Sequence, residues 1–406
     1  MKAVKITEGI HHIGVNITNN DLFEGLWPIP DGVSLNSYVV QGKKNAVIDL
    51  VRDWNDAPAG FTEKLRSIGL SAENIDYLIL NHLEPDHTGW LREFKKKNPR
   101  VEIITTPKGA ALVKQFYGIE EAVREVKTGD SLDLGDGRVL NFIEAPNVHW
   151  PETMVTYETS GKVLFSCDAF GSYGALGDAV FDDQLSQEHS QFYEREALRY
   201  YANIVASFSK FVERAAAKLE GVEINVIAPS HGIIWRENPS VIIERYLKYA
   251  SYMDGPAEPE ITLIWGTMYG NTGSAVNEII RSVRSEGVPI HVHQVPQDDS
   301  SYILASAWKS AGLIIGMPTY EYRMFPPMAN VLDLFDRKHV KNKKVLRFGS
   351  FGWSGGAQKE CDALTEKLKW DYLEPVEWNG APSQDDTSRL LEQVRTLARK
   401  VKESAG

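Results

Sequence analysis

The sequence predicts a two-part α/β protein, and three observations carry this prediction. Short β-branched runs alternate with turns up to about residue 252, which indicates two sheets with helices outside them. A short, polar, proline-rich stretch follows at 253–260 and has the composition of a linker. Beyond it, strand-like and helix-like segments alternate regularly, as in a doubly wound parallel sheet.

The expected domains are therefore residues 1–252 and 261–406, with the linker between them at 253–260. A chain of 406 residues is too long for one ordinary domain, which agrees with this division. In the first part the predicted strands are 37–40 and 46–50, paired as a hairpin, then 77–80, 101–105, 139–144, 154–158 and 163–166. A long helical stretch is predicted over 192–219. In the second part the predicted strands are 261–265, 290–294, 313–315 and 345–348, with helices at 274–286 and 388–402.

Composition excludes several classes of protein. The formal net charge of -11 argues against a nucleic-acid partner. The two cysteines, Cys167 and Cys361, exclude a disulfide framework and any Cys-x-x-Cys metal site. We find no apolar run of about 18 residues and no signal peptide, so we expect no membrane span and a cytoplasmic protein.

Four metal-capable side chains lie within six residues directly after the predicted strand 77–80: His82, Glu84, Asp86 and His87. Pro85 favours an extended or turned path there, which keeps several of these side chains directed into one pocket. The plain alternative is a polar loop whose carboxylates cap the next helix. The coincidence of two histidines and two acids favours a metal site over that alternative.

Three further candidates lie where later strands give way to loops: His149, Asp168 and His231. Taken singly, each is as readily interpreted as a satisfied core histidine or a helix cap. Taken with the first cluster, they predict a metal site whose ligands come from separated strand ends.

A second site is predicted after the strand 261–265, where Gly-Thr-Met-Tyr-Gly-Asn-Thr-Gly (266–273) leads into a helix. Small and hydroxylated residues at a helix N-terminus offer backbone N–H groups to a phosphate, and the helix dipole adds to the attraction. The loop has no lysine, so it is not a nucleoside-triphosphate loop. It is similar to the phosphate loop of flavodoxins, and the absence of a Gly-x-Gly-x-x-Gly motif favours FMN over FAD.

Two later loops, 316–322 and 350–356, meet the first loop at the ligand crevice of such a sheet. Their aromatic residues are suited to stacking on the isoalloxazine ring, although ordinary packing explains them too. The expected FMN-binding residues are Thr267, Met268, Tyr269, Gly270, Asn271, Thr272, Pro318, Thr319, Tyr320, Ser350, Phe351, Gly352, Trp353, Ser354 and Gly355.

The order of elements around the metal candidates resembles the metallo-β-lactamase fold. The zinc motif of that fold is His-x-His-x-Asp-His, and Glu84 stands here in place of the second histidine. The extra carboxylate makes the site harder and favours iron or manganese over a zinc hydrolase site. Over nearly its whole length the chain resembles the flavodiiron proteins, which implies an αββα sandwich of the metallo-β-lactamase type followed by a flavodoxin-like sheet.

The resemblance also implies roles for the seven candidates. His82, Glu84 and His149 are expected to bind one iron, and Asp86, His87 and His231 the other, with Asp168 bridging. His87 stays open, because some family members leave that position uncoordinated. The other six are also the expected catalytic residues.

The implied activity is reduction of nitric oxide to nitrous oxide, of dioxygen to water, or of both. Electrons would pass through FMN from an external donor such as rubredoxin, since the chain has no Cys-x-x-Cys pair. The resemblance further implies a head-to-tail homodimer or a dimer of dimers. Two alternatives stay open: a zinc-dependent metallo-β-lactamase-fold hydrolase fused to a flavodoxin-like domain, and a flavodoxin-type electron carrier with an inert appended domain.

Three weaker hypotheses complete the sequence interpretation. Five basic residues are candidates to steer an acidic donor, with a solvated loop before a strand as the alternative: Arg337, Lys338, Lys341, Lys343 and Lys344. Tyr193, Tyr200 and Tyr201 are candidates to line the metal pocket, with helical core packing as the alternative. The remaining histidines are interpreted as core or solvated residues: His11, His12, His189, His291, His293 and His339.

Overall fold

The computed structural model describes residues 1–255 and 257–404. The chain divides into two compact units, one formed by Met1–Tyr201 with Lys210–Leu247, the other by Ala202–Ser209 with Lys248–Gly406. Within the expected linker, Pro256 lies outside the described residues, as do the last two residues of the expected second domain. The first strand of the second unit begins at Glu258, so it includes the last three residues of the expected linker.

The first unit contains two main sheets and two small ones. Its strands are β1 (Val4–Thr7), β2 (Ile10–His12), β3 (Val15–Ile17), β4 (Leu22–Phe23), β5 (Trp27–Pro28), β6 (Val33–Leu35), β7 (Tyr38–Gln41), β8 (Asn45–Ile48), β9 (Tyr77–Ile79), β10 (Glu102–Thr105), β11 (Val123–Glu125), β12 (Ser131–Gly135), β13 (Arg138–Glu144), β14 (Met154–Glu158), β15 (Val163–Cys167) and β16 (Val226–Pro229). Among the described residues, one sheet has the order β1-β2-β7-β8-β9-β10-β11 and the other β12-β13-β14-β15-β16. The small sheets pair β3 with β6 and β4 with β5.

The helices of the first unit follow or connect these strands. They are α1 (Ala57–Ser67), α2 (Pro85–Thr88), α3 (Leu91–Lys97), α4 (Pro107–Tyr117), α5 (Gln187–Tyr200) and, for most of their length, α6 (Ser209–Ala217) and α7 (Ser240–Ser251). Buried side chains from the two sheets meet in the core, where the rings of Tyr38 and Phe165 lie 5.1 Å apart. Because β8, β9 and β10 are parallel to one another, and β15 is parallel to β16, their carboxyl ends lie at common sheet edges.

The helical stretch predicted over 192–219 is interrupted. Helix α5 ends at Tyr200, a π-helical turn spans Tyr201–Val205, a 3₁₀ turn spans Ala206–Phe208, and α6 then begins. The Ser209 hydroxyl donates to the Ala206 carbonyl at 2.8 Å, so the side chain binds backbone that a continuous helix would use itself. Apolar periodicity continues across the break, which is why the sequence pattern did not show it.

The second unit is a parallel sheet with helices between its strands. The strands are β17 (Glu258–Trp265), β18 (Ile290–Gln294), β19 (Ser310–Gly316), β20 (Thr319–Tyr320), β21 (Arg323–Met324), β22 (Lys344–Phe351), β23 (Asp371–Tyr372) and β24 (Val376–Asn379). The helices are α8 (Val276–Ser285), α9 (Ser300–Lys309), α10 (Pro326–Lys338), α11 (Ala357–Thr365) and α12 (Gln384–Glu403).

In this sheet β18, β17, β19 and β22 lie side by side in parallel, and β23 and β24 both pair with β22. Beside β22 the sheet therefore ends in two short strands, neither of which was predicted from the sequence. This is the doubly wound arrangement, in which ligands bind at the carboxyl ends of the strands. Helix α12 covers the sheet with a buried stripe at helical spacing: Leu390, Val394, Leu397 and Val401. In the described part of the chain, no helix is long and apolar enough to cross a membrane.

Candidate metal centre and cofactor pocket

Seven side chains predicted as metal ligands lie at one end of the first unit. They come from the segment after β9, the loop between β13 and β14, and the ends of β15 and β16: His82, Glu84, Asp86, His87, His149, Asp168 and His231. Glu84 is partly buried, and the other six are buried. Pro85 begins α2, so Glu84 lies at its N-cap in an extended conformation while Asp86 and His87 lie in its first turn.

These side chains form two groups. Potential ligand atoms of His82, Glu84, His149 and Asp168 all lie within 4.8 Å of one another, and those of Asp86, His87 and His231 do the same. A third such group consists of Asp49, His87 and Cys167, and it shares His87 with the second group. Among the described residues, none of the six other histidines belongs to such a group.

Asp168 lies between the two groups and turns one oxygen toward each. Its Oδ2 is 3.2 Å from His149 Nε2 and 3.5 Å from His82 Nε2. Its Oδ1 is 3.0 Å from His87 Nε2 and 3.3 Å from His231 Nε2. This is the placement that a carboxylate needs to bridge two cations.

The site fits metal ions better than it fits a hydrogen-bond network. In the described part of the chain, both oxygens of Asp86 and of Asp168 and the Nε2 atoms of His87 and His231 are buried without a hydrogen bond. Buried polar atoms left in this state are costly. Two ligand atoms about 2.1 Å from one cation are about 3.0 Å apart at right angles and ~3.4 Å apart in a tetrahedron. The spacings around Asp168 agree with that geometry.

Two histidines are oriented by hydrogen-bond acceptors behind them. His82 Nδ1 is 2.7 Å from Glu152 Oε1, which also accepts from the Leu83 backbone N–H at 3.0 Å. His231 Nδ1 is 2.7 Å from the Ser34 carbonyl. These acceptors hold the Nδ1 proton and leave Nε2 for a metal. Behind His87, Asp49 Oδ2 lies 3.8 Å from Nδ1, which is too long for a hydrogen bond.

Sequence reasoning missed Glu152 and Asp49. Glu152 stands three residues after His149 and is 1% exposed, and Asp49 follows β8. The available signal was the position three residues after His149 for Glu152, and the single acid within the apolar run 46–51 for Asp49.

Opposite charges control protonation in this site. Burial raises the pKa of Glu84, but His149 and His82 outweigh burial and hold the pKa below its ordinary value. Burial lowers the pKa of His149, but Asp168 and Glu84 raise it to about 10. Burial also lowers the pKa of His231, but Asp168 and Asp86 outweigh burial and raise this pKa to about 9. Protons thus neutralise the ionised carboxylates, and a metal ion would displace them on binding.

Of the three tyrosine candidates, Tyr200 lies beside a predicted ligand. Its ring is 5.6 Å from that of His231, whereas the Tyr193 hydroxyl donates to the Ala175 carbonyl and Tyr201 packs on Tyr246. Burial raises the pKa of Tyr200 well above its ordinary value, so its hydroxyl stays neutral at neutral pH.

A pocket of about 170 Å³ adjoins two of the predicted ligands. Glu84 and Asp86 form part of its wall, together with Pro85. The rest of the wall consists of residues from β4 and the turn after it and from the loop before α1: Phe23, Glu24, Arg52 and Trp54.

The second unit has a pocket of about 320 Å³ at the carboxyl ends of its strands. It is lined by these expected residues: Thr267, Met268, Tyr269, Asn271, Pro318, Thr319, Tyr320, Ser350, Phe351, Gly352 and Trp353. The other four expected residues, Gly270, Thr272, Ser354 and Gly355, do not line it. Thr272 instead joins two of the loops, because its Oγ1 lies 3.0 Å from Ser350 Oγ.

Glu321 and Gly380 also line this pocket and were not expected. Gly380 follows β24 and donates its N–H to the Phe351 carbonyl at 2.9 Å. The Val-Glu-Trp-Asn-Gly run at 376–380 was the available sequence signal for this strand and turn.

The chemistry of the pocket fits a flavin. Thr319 lines the pocket, and its Oγ1 is buried without a hydrogen bond in the described structure, so the pocket wall holds a polar group without a partner. Tyr269 and Trp353 are 89% and 75% exposed as residues, which leaves ring surface available for stacking. The phosphate-type loop leads through a 3₁₀ turn at Gly273–Ala275 into α8, as phosphate binding at a helix N-terminus requires.

The donor-steering hypothesis is wrong for Lys343. This side chain is 1% exposed, and its Nζ donates to the carbonyls of Trp308 at 2.8 Å and Ser310 at 2.7 Å. Lys343 begins a buried segment. The other basic residues near it in the sequence gave no indication of this burial. A buried ammonium group does not attract a partner in solution.

Comparisons with known proteins agree with this architecture. The family model described as ODP family beta lactamase matches residues 33–232. The chain is 34% identical over 403 residues to the anaerobic nitric oxide reductase flavorubredoxin of Salmonella typhi, covering 98% of this chain and 82% of that protein. Rubredoxin oxygen:oxidoreductase from Desulfovibrio gigas superimposes with a TM-score of 0.92 at 28% identity, over 100% of both chains. A flavo di-iron protein variant from Thermotoga maritima gives 0.88 at 29% identity, over 98% of both.

A metallo-β-lactamase-like domain with paired ligand groups, followed by a flavodoxin-like domain, defines a class of flavin-linked oxidoreductases. The chain belongs to the flavodiiron protein family. The predicted fold class is confirmed, and the zinc hydrolase alternative is not favoured by these relatives.

Proposed function

We propose that this enzyme reduces nitric oxide to nitrous oxide, dioxygen to water, or both, at a non-haem diiron site supplied with electrons through FMN. The observation that carries the proposal is the placement of Asp168, whose two carboxylate oxygens each face a separate group of buried ligand atoms. Two cations held in this way can bind one small molecule between them. The relatives named as reductases of nitric oxide and of oxygen support the same activity.

His82, Glu84 and His149 would hold one iron, and Asp86, His87 and His231 the other. A ferrous pair would supply electrons to a gas molecule bound at the site. Each pair of nitric oxide molecules would be reduced by two electrons, with two protons, to one nitrous oxide and one water. We include His87 among the ligands because its Nε2 faces Asp86 at 3.6 Å and Asp168 at 3.0 Å.

The protein's own groups prepare this site before any gas arrives. Glu152 and the Ser34 carbonyl orient His82 and His231, so each Nε2 is already directed inward. Trp150 packs edge-on against His82, and Phe23 packs edge-on against His231, at ring separations of 5.0 and 5.4 Å. These aromatic side chains keep bulk water away from the ligand groups, which strengthens electrostatic interactions there.

In the second unit, the loops after β17, β19 and β22 would hold FMN. We assign its phosphate to the loop 267–272, and its ring to the aromatic residues Tyr320, Phe351 and Trp353. Bound FMN would return electrons to the metal site after each turnover.

An external donor of the rubredoxin type completes the proposal, with the relatives' names as its support. We further propose a head-to-tail homodimer or dimer of dimers, in which the flavin of one chain serves the metal site of another. We place the enzyme in the cytoplasm, because both cysteines are buried free thiols.

The test is gas consumption by protein purified without air and analysed for iron and FMN. With excess reduced donor, the enzyme should consume nitric oxide or dioxygen continuously, as measured with a gas electrode. A chain that carries both iron and FMN but consumes neither gas would disprove the proposal. Predominant zinc together with esterase activity would instead support the hydrolase alternative.

A further inference from the structure

An apolar cavity lies in the first unit, between the second sheet and helix α6. Val212 and Ala216 of α6, with Leu219 just after it, form one wall, and Ile143 and Val155 of the sheet form the other. The pocket beside Glu84 and Asp86 shares none of these residues. We propose that this cavity binds one molecule of an uncharged diatomic gas on its way to the metal groups. The inference rests on the proposed function, because it names a site for that function's substrate.

The position of the cavity is the first argument. Val148 lines it and directly precedes His149, and Ala169 and Phe170 line it and directly follow Asp168. The cavity therefore lies directly behind the loops that carry two predicted ligands, one of them the proposed bridge. On this proposal, a molecule held here reaches the metal groups between the side chains of these loops.

The dryness of the cavity is the second argument. Three of the residues that line it have polar side chains, and each side chain is satisfied within the protein. The Glu144 carboxylate accepts from the Thr128 backbone N–H at 3.3 Å and from its hydroxyl at 3.4 Å. Thr153 Oγ1 donates to the Trp150 carbonyl at 3.0 Å, and Ser166 Oγ donates to the Ala169 carbonyl at 2.8 Å. Buried water needs two or more polar partners, so a lining of this kind favours an apolar guest over water.

The size of the cavity is the third argument. Its volume is about 20 Å³, which exceeds the roughly 10–15 Å³ needed to hold one water-sized molecule. This space suits one diatomic molecule and excludes substrates with several heavy atoms. Nitric oxide and dioxygen are weakly hydrated, so little free energy opposes their entry into an apolar space.

Xenon is the probe for this site, because it enters dry apolar cavities and takes no part in redox chemistry. Crystals of the holoenzyme under xenon pressure should show a xenon peak between Val148, Val155 and Ala216. The Ala216→Leu variant fills the space and should remove the peak. Ala217→Leu is the matched control, because it adds the same side chain at an exposed position of the same helix.

Kinetics then test whether the site lies on the route. In stopped-flow oxidation of the reduced enzyme, Ala216→Leu should lower the second-order rate constant for the gas by about threefold. Iron content, FMN content and the rate at saturating gas should stay at wild-type values, and Ala217→Leu should match wild type throughout. Val155→Ala enlarges the cavity and should raise xenon occupancy, which gives a second test if Ala216→Leu fails to fold.

The possible outcomes separate this inference from the proposed function. No xenon in the wild-type cavity overturns the inference, and so does an Ala216→Leu variant that excludes xenon yet reacts at the wild-type rate. An enzyme that binds xenon here but reacts with neither gas overturns the proposed function while supporting a gas-sized site.

Discussion

At the scale of single residues, Glu84 decides what kind of metal the first ligand group prefers. A second imidazole at this position would complete the zinc motif of the metallo-β-lactamases. The carboxylate instead adds a negative charge, and its neighbours His149 and His82 keep its pKa low despite burial. As a ligand it would therefore be an ionised, hard carboxylate, which favours iron.

Glu152 is a positioning residue for His82, and its charge can be tested without removing its contacts. Glu152→Gln keeps an oxygen for the Leu83 N–H and the His82 Nδ1–H but loses the negative charge. We expect iron affinity to fall about tenfold, because partners of this type raise ligand basicity. Competition with a coloured chelator measures the affinity, and Mössbauer spectra should show a change at one iron only. Glu125→Gln, exposed on β11, is the matched control; equal affinities in the two variants would contradict the role.

At the scale of elements, both sites are built from segments that follow strands. Parallel strands bring their carboxyl ends to one edge, so residues far apart in sequence meet there. In the second unit the approach is very close: a Cβ on Gly349 would lie 1.8 Å from the Met317 carbonyl oxygen. Glycine at this position is therefore required for the ends of β19 and β22 to come together.

Thr319 tests the loop after β19. Thr319→Val keeps the shape of the side chain but removes a buried hydroxyl that has no hydrogen bond in the described structure. We expect FMN affinity to fall by about tenfold, which is the cost of losing one hydrogen bond to a polar ligand. Fluorescence titration of the apoprotein with FMN measures it. Thr396→Val on α12 should bind FMN as wild type does, and an unchanged affinity for Thr319→Val would show that FMN does not use this hydroxyl.

Lys343 makes the stability of the second unit depend on pH. Burial lowers its pKa from the ordinary 10.5 to about 7. Between these values the unfolded chain binds a proton that the folded chain does not, so stability should rise with pH across this window, by at most about 1.4 kcal/mol per pH unit. Below about pH 7 Lys343 is protonated in the folded chain, and the full free-energy cost of burying its charge lowers the stability.

Lys343→Met should flatten this pH dependence, even though it also removes two hydrogen bonds. Urea unfolding at several pH values between about 7 and 10 measures the effect. Lys341→Met, at a partly exposed neighbouring position, should keep the wild-type slope. A wild-type slope in Lys343→Met would mean that another group titrates.

At the scale of the whole molecule, the proposed dimer predicts that two inactive variants can restore activity when they are combined in one dimer. Asp168→Ala should lose iron but keep FMN. Gly352→Trp should lose FMN but keep iron, because its new side chain enters space at the pocket that is free of protein atoms within 4 Å. Each variant alone should be inactive.

Mixed dimers of these two variants, purified through different tags, should recover gas reduction. In such a dimer one chain supplies FMN and the other supplies the metal site, so transfer between chains restores a single working pair. Transfer within one chain would leave the mixed dimer inactive. The controls are the homodimers of each variant. These should be inactive whether electrons pass between chains or within one chain.

The sequence predicted both sites because their residues stand in local motifs. The cluster His82 to His87 and the loop 266–273 each concentrate their chemistry in a few residues next to a strand, where hydrophobic patterning and turn residues suffice. His149, Asp168 and His231 were identified only in combination with that cluster, since each stands alone in its own loop.

By itself, the sequence determined the order of elements, the two-part architecture and the residue types at each site, since patterning and turn chemistry are local properties of the chain. Only the tertiary structure decided that Asp168 divides its oxygens between two groups, that Glu152 stands behind His82, and that Lys343 is buried. Those facts depend on packing between segments distant in sequence, and burial and distance, unlike propensity, are not properties of any one segment.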